Sequence, residues 1–385
     1  MNSIDARHYA TGIAYTVSLQ EGKIAALVPL SDDTPDLPYF APGLIDVQVN
    51  GYGGQEFNDA QLTADKVVEI CLAMDQDGVT HFCPTFTTQA HELLSHSMAT
   101  VAAAIESDPR VAARCQSLHL EGPFISAADG PRGAHPQEHV RPPCWDEFER
   151  LQEAALGRIG ILTLSPEYEG TASFIEKVVG SGVVVAIGHT AANSDQIRAA
   201  VDAGATMSTH LGNGAHGTIR RHPNYIWDQI AEDRLTCSLI VDGHHLPAAV
   251  VKSIMRAKTP ERCVLVSDIT GMGGMPPGCY ETTGLGHVEV LSDGRLVVPG
   301  QDQLLAGAAL PIGVGIAKVM EFGEVQLETA IQMATWGPAK ILKRPVPRLE
   351  VGADADLVFF DMNDGRFDVQ MTVNSGEMVY QRLPS

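Results

Sequence analysis

The chain has 385 residues, of which 44% are hydrophobic and 19% charged, and 47 acidic residues against 26 Lys and Arg give it a formal net charge of −21 at pH 7. A field of this sign repels phosphate backbones and anionic membrane surfaces, which argues against a nucleic-acid-binding or membrane-surface protein. An anionic small molecule could still bind, but only in a locally cationic pocket.

The first predicted elements are two short strands, Val17–Leu19 and Ile24–Val28, separated by the turn residues Gly22-Lys23. From residue 43 the pattern changes to a repeated unit of apolar strand, loop and amphipathic helix. The strands predicted there are Gly43–Asn50, Val79–Phe86, Gln116–Glu121, Arg158–Ser165, Val183–His189, Thr206–His210, Thr236–Asp242 and Cys263–Asp268. The helices predicted between them are Thr63–Gln76, Glu92–Ser107, Thr171–Val179, Ser194–Ala203 and Pro247–Ala257.

These strands are almost continuously apolar, as in residues 183–187, and such runs are typical of strands buried on both faces of a parallel sheet. Strand–helix units repeated over ~250 residues or more predict an α/β protein with a (β/α)₈ barrel, which we place at residues 43–344. A doubly wound open sheet is the alternative, but no GxGxxG motif follows the first strand to support it.

Further strands are predicted after the barrel strands: His287–Leu291, Arg295–Val298, Leu357–Phe360 and Met378–Gln381. The first two are expected to form a hairpin in the loop after the eighth barrel strand. The last two resemble the N-terminal strands in length and in their turn residues. We therefore expect both termini together, residues 1–42 and 345–385, to build one small β-sandwich domain beside the barrel.

The seven cysteines are scattered, odd in number and without a CxxC pair, which is typical of reduced thiols. The N-terminal residues lack the apolar core of a secretory signal. The most apolar long stretch, residues 304–320, is interrupted by glycines, Pro311 and Lys318 and is interpreted as buried globular structure. We therefore expect a cytoplasmic location.

Polar residues end most of the predicted barrel strands, and the loops at that end carry the chemistry of this fold. Glu121 ends the third strand, His189 the fifth and His210 the sixth. Two imidazoles and one carboxylate, with an open position for water, form the ligand set of a catalytic divalent metal. Asp268 ends the eighth strand, where a carboxylate could serve as general base toward that water. Each residue alone has an ordinary structural explanation, and it is their joint placement that predicts a metal site.

With these residues the chain resembles the N-acetylglucosamine-6-phosphate deacetylases, a branch of the amidohydrolase superfamily. The matching stretches are 42–51 (PGLIDVQVNG), 119–123 (HLEGP), 133–135 (GAH), 188–190 (GHT), 209–211 (THL), 242–245 (DGHH), 305–307 (LAG) and 351–358 (VGADADLV). They follow one another in family order along nearly the whole chain. HLEGP and GAH are specific to this branch, whereas GADADLV is shared by amidohydrolases generally.

Position by position, the resemblance implies Glu121, His189 and His210 as metal ligands and Asp268 as the catalytic acid/base. It implies a single divalent ion, Zn²⁺, with Fe²⁺, Mn²⁺ and Co²⁺ as alternatives. The substrate-binding residues that it implies are His135, Asn213, Gly214, His245 and Ala306. Arg221 matches an arginine that reaches a phosphate in the partner subunit's site, which implies a homodimer.

The chain also departs from the family at positions that bear on chemistry and specificity. Many amidohydrolases carry His-x-His on the first strand, where this chain has Gln48 and Asn50; amides are poor ligands for divalent metals, so we expect one ion. Residues 212–215 (GNGA) and 269–272 (ITGM) replace Tyr-Asn-Ala-Met and Ala-Thr-Ala-Pro in two loops expected at the substrate site. The basic cluster 220–222 favours an anionic substrate group, although a solvated loop or an intersubunit ion pair explains it nearly as well.

His119 lies two residues before Glu121 and so shares its inward face; we interpret it as a packed barrel residue or a hydrogen-bond partner of a ligand. No site role is predicted for the other histidines near these loops and strands, His81, His216, His222 and His244.

The sequence thus predicts metal-dependent hydrolysis of the acetamide of an N-acetylated amino sugar, with N-acetylglucosamine 6-phosphate as the favoured substrate. A second hypothesis is an amidohydrolase of the same fold that acts on a different N-acyl substrate, including an unphosphorylated one. A third is a metal-free barrel that serves as a binding or assembly protein, which metal analysis of the purified protein would distinguish.

Overall fold

The computed structural model describes residues 2–31, 34–282 and 284–383. In chain order the strands are β1 (Asn2–His8), β2 (Ala14–Gln20), β3 (Lys23–Pro29), β4 (Tyr39–Pro42), β5 (Leu44–Val49), β6 (Gly51–Tyr52), β7 (Gln55–Glu56), β8 (Val79–Thr87), β9 (Leu118–Glu121), β10 (Ile159–Leu164), β11 (Val184–Ile187), β12 (Met207–Ser208), β13 (Thr236–Leu239), β14 (Cys263–Leu265), β15 (Gly278–Thr282), β16 (Gly286–Val290), β17 (Leu296–Val298), β18 (Gln301–Gly307), β19 (Leu357–Asn363), β20 (Arg366–Asn374) and β21 (Glu377–Gln381). The helices are α1 (Ala64–Ala73), α2 (His91–Ser107), α3 (Pro109–Arg114), α4 (Trp145–Ala154), α5 (Thr171–Gly180), α6 (Ser194–Asp202), α7 (Tyr225–Ala231), α8 (Ala248–Lys258), α9 (Ile312–Gly323), α10 (Leu327–Met333) and α11 (Trp336–Ile341).

Eight parallel strands form a nearly closed barrel in the order β5, β8, β9, β10, β11, β12, β13, β14. Just beyond the last strand, the backbone N–H of Asn50 donates to the carbonyl oxygen of Ile269 at 2.8 Å and links the two ends of this order. Every residue of β5 and β11 is buried, as continuous apolar runs predict for strands covered on both faces. All eight predicted barrel strands are present, and the expected fold class is confirmed.

Four strands in the second half of the barrel end earlier than their apolar patterns predict. They end at Ile187, Ser208, Leu239 and Leu265. After three of them the local backbone geometry changes, since His189, His210 and Asp268 adopt left-handed φ angles of 48°, 28° and 52°. His189 and His210 remain buried and Asp268 half-buried although the strands have ended, so the apolar pattern continues past the strand.

The five predicted helices are confirmed as α1, α2, α5, α6 and α8. The remaining helices were not predicted, because most are short or lack a clear apolar periodicity. The apolar stretch interpreted as buried globular structure contains most of α9, whose Ile312, Ile316 and Val319 are buried. No helix in the described ranges has both the length and the apolar character that a membrane crossing requires.

The N- and C-terminal strands together form a mixed sheet in the order β21, β20, β19, β4, β1, β2, β3. Only β1 and β4 are parallel among its neighbouring pairs. Alternate residues of β19 face opposite sides: Leu357 and Phe359 pack in the core of this sheet, whereas Val358 and Phe360 pack with the core of the barrel. The terminal sheet is therefore attached to the barrel by one apolar face.

The predicted hairpin after the eighth barrel strand is confirmed as β16 and β17. The structure adds β15 and β18 on either side of it, which gives a four-stranded antiparallel sheet. This small sheet covers one side of the barrel mouth, because Leu285, Leu305 and Ala306 contribute to the cavity there.

Candidate active site

A cavity of about 410 Å³ lies at the carboxyl ends of the barrel strands, where this fold places its chemistry. The predicted site residues that line it are Glu121, His135, His189, His210, Asn213, Gly214, His245, Asp268 and Ala306. Arg221 is the predicted residue that the fold does not bring there: it is exposed on the loop after β12.

Glu121, His189 and His210 form the centre of this cavity, and all three side chains are buried. Oε1 of Glu121 lies 3.0 Å from Nε2 of His189 and 2.9 Å from Nε2 of His210. The two Nε2 atoms are 3.1 Å apart. The ends of three different strands thus bring one carboxylate oxygen and two ring nitrogens to one point, where they could hold a metal ion.

The hydrogen bonds around this group test whether it fits a cation. Nδ1 of His189 lies 2.8 Å from the carbonyl oxygen of Pro131, which can only accept, so Nδ1 carries the ring proton and a neutral ring presents a lone pair at Nε2. Burial alone would raise the pKa of Glu121, but its two imidazole neighbours hold that pKa well below the usual value. Without a proton or a cation between them, the carboxylate and the imidazole lone pairs would repel one another, and this donor set fits a divalent metal ion.

Gln48 occupies the first-strand position where a histidine could hold a second ion. Its Nε2 donates to Oε2 of Glu121 at 2.9 Å. The amide therefore fixes the carboxylate oxygen that does not face the histidines, and it acts as a donor toward the carboxylate.

Asp268, just after β14, also lines the cavity and is held by Asn50. Nδ2 of Asn50 donates to Oδ1 of Asp268 at 2.7 Å. Burial raises the pKa of Asp268 to about 6, and the negative charge of Glu121 adds to that rise. A carboxyl group with a pKa in this range can accept a proton near neutral pH and return it.

Left-handed backbone at His189, His210 and Asp268 aims these side chains out of the sheet and into the mouth. Non-glycine residues rarely adopt this conformation, and it clusters at functional sites. Gly214 leaves the room that His189 needs, because a Cβ at Gly214 would lie 2.7 Å from Nδ1 of that ring. Its own φ of +56° is also readily adopted by glycine.

His135 is held as a neutral hydrogen-bond donor. The backbone N–H of Thr88 donates to its Nδ1 at 3.3 Å, so the ring proton is on Nε2. Burial, with the nearby ring of His189 adding, lowers the pKa of His135 to about 3. The ring is therefore uncharged at neutral pH.

His245 is oriented by Asp242, three residues before it. Nδ1 of His245 lies 2.7 Å from Oδ2 of Asp242, and the backbone N–H of His245 donates to Oδ1 at 2.9 Å. Burial alone would raise the pKa of Asp242, but these bonds lower it, so the carboxylate accepts the Nδ1 proton. Nε2 of His245 is left for a ligand in the cavity.

Four of the other histidines near these loops and strands have structural partners. His119 is buried, with Nδ1 3.0 Å from the carbonyl oxygen of Val47 and Nε2 2.7 Å from Oγ1 of Thr163. The partners of the remaining three are the carboxylate of Asp356 for His81, the hydroxyl of Tyr225 for His216 and the carbonyl of Asp293 for His244. His222 is exposed and does not contribute to the described cavity wall.

Sequence reasoning missed the residues that orient the site histidines. Thr88 is 47 residues from His135 in the chain, and no local pattern marks the pair. For Asp242 the sequence did hold a usable signal. An aspartate that begins a loop readily accepts hydrogen bonds from the backbone and side chain of the residue three positions later, here His245.

The comparisons with known proteins agree on one family. A model of the amidohydrolase family matches residues 39–379. The chain is 33% identical over 352 residues to the N-acetylglucosamine-6-phosphate deacetylase of Homo sapiens, which covers 89% of this chain and 83% of the relative. It is 32% identical over 341 residues to the N-acetylgalactosamine-6-phosphate deacetylase of Escherichia coli O157:H7, which covers 85% of each.

Comparison of the fold with solved structures agrees with this family. A solved structure of a mutant N-acetyl-D-glucosamine-6-phosphate deacetylase from Mycobacterium smegmatis, in complex with N-acetyl-D-glucosamine-6-phosphate, superposes with a TM-score of 0.86 at 28% identity and covers 98% of this chain and 100% of that one. Family model, relatives and fold agree over most of the chain. The chain belongs to the amidohydrolase family, as a hydrolase similar to the N-acetylhexosamine-6-phosphate deacetylases.

Proposed function

We propose that this protein hydrolyses the acetamide of N-acetylglucosamine 6-phosphate and releases acetate and the amino sugar phosphate. The observation that carries the proposal is the contact of Glu121, His189 and His210 in the cavity that Asp268 also lines. The relatives named for this reaction support the choice of substrate.

We propose one divalent ion, Zn²⁺, held by Glu121, His189 and His210. When bound, such an ion lowers the pKa of a water ligand and polarises the amide carbonyl. A single ion is supported by Gln48 and Asn50, whose amide nitrogens donate to the Glu121 and Asp268 carboxylates.

Asp268 is proposed to move the proton that this hydrolysis requires. It takes a proton from the attacking water as the new C–O bond forms, and it gives that proton to the nitrogen as the C–N bond breaks. The leaving group is then a neutral amine. Asn50 orients the carboxylate through the bond to Oδ1.

The remaining cavity residues are proposed to bind the sugar. His135 offers its Nε2–H to an oxygen of the substrate, and His245 offers the nitrogen that Asp242 leaves free. Asn213, Gly214 and Ala306 complete the binding wall.

Arg221 is proposed to bind the 6-phosphate in the site of a second copy of the chain. Its exposure and its absence from the described lining of its own cavity support a role in trans. The active unit is then a homodimer.

N-acetylgalactosamine 6-phosphate is a second candidate substrate, because a deacetylase named for it is nearly as similar as the glucosamine-specific relative. The departures at residues 212–215 and 269–272 also leave room for an unphosphorylated substrate, since Asn213, Gly214 and Thr270 line the cavity.

Acetate release should be measured with four sugars side by side: N-acetylglucosamine and N-acetylgalactosamine, each with and without the 6-phosphate. We expect the highest kcat/KM for N-acetylglucosamine 6-phosphate. A higher value for the galactose isomer would select the second candidate. Equal values with and without phosphate would contradict the assignment of Arg221.

A further inference from the structure

Glu56 is an acidic residue in the cavity wall that none of the roles above uses. It ends the two-stranded hairpin of β6 and β7, in which it pairs with Gly51. The backbone N–H of Gly54 donates to the carbonyl oxygen of Gly271 at 2.7 Å, so the hairpin is fixed to the loop after β14. The position of Glu56 is therefore set by the frame of the barrel.

Two glycines make room for its side chain. A Cβ at Gly271 would lie 2.7 Å from Cγ of Glu56, and a Cβ at Gly284 would lie 2.7 Å from its Oε2. Contacts this close are not tolerated, so any larger residue on either loop would displace the carboxyl group. Gly271, in the loop that departs from the family's sequence, and Gly284, just before β16, thus leave a slot for Glu56.

Among the residues that the structure describes, the carboxyl group of Glu56 has no partner in this slot. Within the described ranges, no side chain or backbone group forms a hydrogen bond or ion pair with it, and its nearest charged influence is the like charge of Asp59. Burial, with Asp59 adding, raises the pKa of Glu56 to about 7. A half-buried carboxylate that lines a ligand cavity without a protein partner is suited to a ligand that supplies a hydrogen-bond donor.

We propose that Glu56 is a specificity-determining residue that accepts a hydrogen bond from a ring hydroxyl group of the sugar, at C3 or C4. The inference rests on the proposed function, which supplies the sugar. The proposed substrate has hydrogen-bond donors on its hydroxyl groups and on its amide N–H, but that amide is the bond to be cleaved and lies at the centre with Asp268. The phosphate repels a carboxylate, so the ring hydroxyl groups are the donors left for Glu56. Glu56 thus orients the ring, with the hydroxyl edge toward the hairpin and the phosphate away from it.

The test combines variants of Glu56 with substrates that lack one hydroxyl group. Steady-state kinetics are measured for the wild type, Glu56→Ala and Glu56→Gln on N-acetylglucosamine 6-phosphate and on its 3-deoxy and 4-deoxy analogues. Glu149→Gln, which removes one exposed carboxylate on α4, is the matched control for net charge. Thermal unfolding shows whether each variant folds.

We expect Glu56→Ala to raise KM for the parent substrate by roughly 10–100-fold, the usual effect of losing a hydrogen bond to a charged group. Glu56→Gln should raise it less, since its amide oxygen still accepts. With the wild type, one of the two deoxy analogues should show a similarly raised KM, because it lacks the hydroxyl group that Glu56 binds. On that analogue, Glu56→Ala should raise KM little further. This non-additivity would not arise from a purely structural role.

Unchanged KM in both variants would overturn the inference. So would a rise in KM on Glu56→Ala that is equal for the parent substrate and for both deoxy analogues. A fall in kcat at constant KM would also overturn it, because Glu56 would then act on the reacting atoms. Failure of the proposed function is recognised separately, since the wild type would deacetylate none of the phosphorylated sugars and the inference would fall with it.

Discussion

The chemistry of the cavity depends on which atom of each side chain is already engaged elsewhere. In His189, Nδ1 donates to a backbone carbonyl, and in His245 it faces the carboxylate of Asp242. His135 differs, because its Nδ1 accepts and its Nε2 carries the proton. In each ring a structural partner selects the tautomer, and the opposite nitrogen is left for a metal or substrate.

Asp268→Asn tests the proposed base at the scale of one residue. The amide keeps the size of the side chain but cannot accept the proton of the attacking water. We expect kcat to fall by roughly 10²–10⁴-fold while the variant folds and retains its metal. Turnover, metal content and circular dichroism check this, and turnover close to the wild type would assign the proton transfer to another residue.

At the scale of elements, the centre joins the ends of β9, β11 and β12, which are otherwise held by sheet hydrogen bonds and apolar packing. A bound ion adds its binding free energy to the folded state, about 4 kcal/mol when free metal is a thousand times its Kd. The short β12, two residues long, depends most on this added connection.

We therefore expect the purified protein to contain one divalent ion per chain and its Tm to fall when the ion is chelated. His189→Ala should lose most of the metal and show a Tm that no longer responds to chelation. Elemental analysis and calorimetry measure both effects. Two tightly bound ions per chain would contradict the expectation, based on Gln48 and Asn50, that the site holds a single ion.

Asp46 connects the first barrel strand to the chain that follows the last one. Its carboxyl group is buried and accepts the backbone N–H groups of Gln48 and Ser267, at 3.2 Å each. Burial raises the pKa of Asp46 from 3.8 to about 7. The folded state therefore favours the protonated acid, whose contribution to stability is present at low pH and is lost as pH rises through 7.

Asp46→Asn should remove this pH dependence. We expect the free energy of unfolding of the wild type to fall relative to the variant between pH 5.5 and 8, by a few kcal/mol at most, since one pKa unit corresponds to ~1.4 kcal/mol. Urea unfolding of both proteins with chelator present measures the difference without metal binding. If the free energies of unfolding of the two proteins change in parallel with pH, Asp46 titrates in the folded protein as it does in the unfolded chain.

At the scale of the whole molecule, the two termini meet in one sheet that packs against the barrel by its apolar face. We propose that residues 1–42 and 345–385 act as one domain and residues 43–344 as the catalytic one. Lys23 and Asp354 form an ion pair across this sheet region, 2.6 Å apart, between segments from the two ends of the chain.

Arg221 provides a test of the dimer. Arg221→Ala should raise KM for the 6-phosphate substrate by roughly 10–150-fold and leave the unphosphorylated sugar nearly unaffected. Mixed dimers of Arg221→Ala and Asp268→Asn chains should regain activity at low substrate, because the first chain keeps Asp268 and receives Arg221 from the second. No recovery in verified mixed dimers would show that Arg221 does not act in the partner's site.

The sequence alone determined the class of fold and the residues of the centre. Continuous apolar runs that alternate with amphipathic helices require a parallel sheet covered on both faces, and polar residues at the ends of such runs must meet at one mouth. Glu121, His189, His210 and Asp268 could be identified in this way because each ends a run. The substrate residues depended instead on the resemblance.

Only the tertiary structure decided the contacts that give these residues their chemistry. Thr88 orients His135, Gln48 holds Glu121, and Glu56 occupies a slot between two loops, although none of these partners is close in the chain. The early ends of the strands also escaped prediction, because the left-handed backbone at His189 and His210 leaves no trace in the apolar pattern. Hydrophobic periodicity reports which residues are buried, whereas hydrogen-bond partners and burial of charge depend on the position of every neighbouring element.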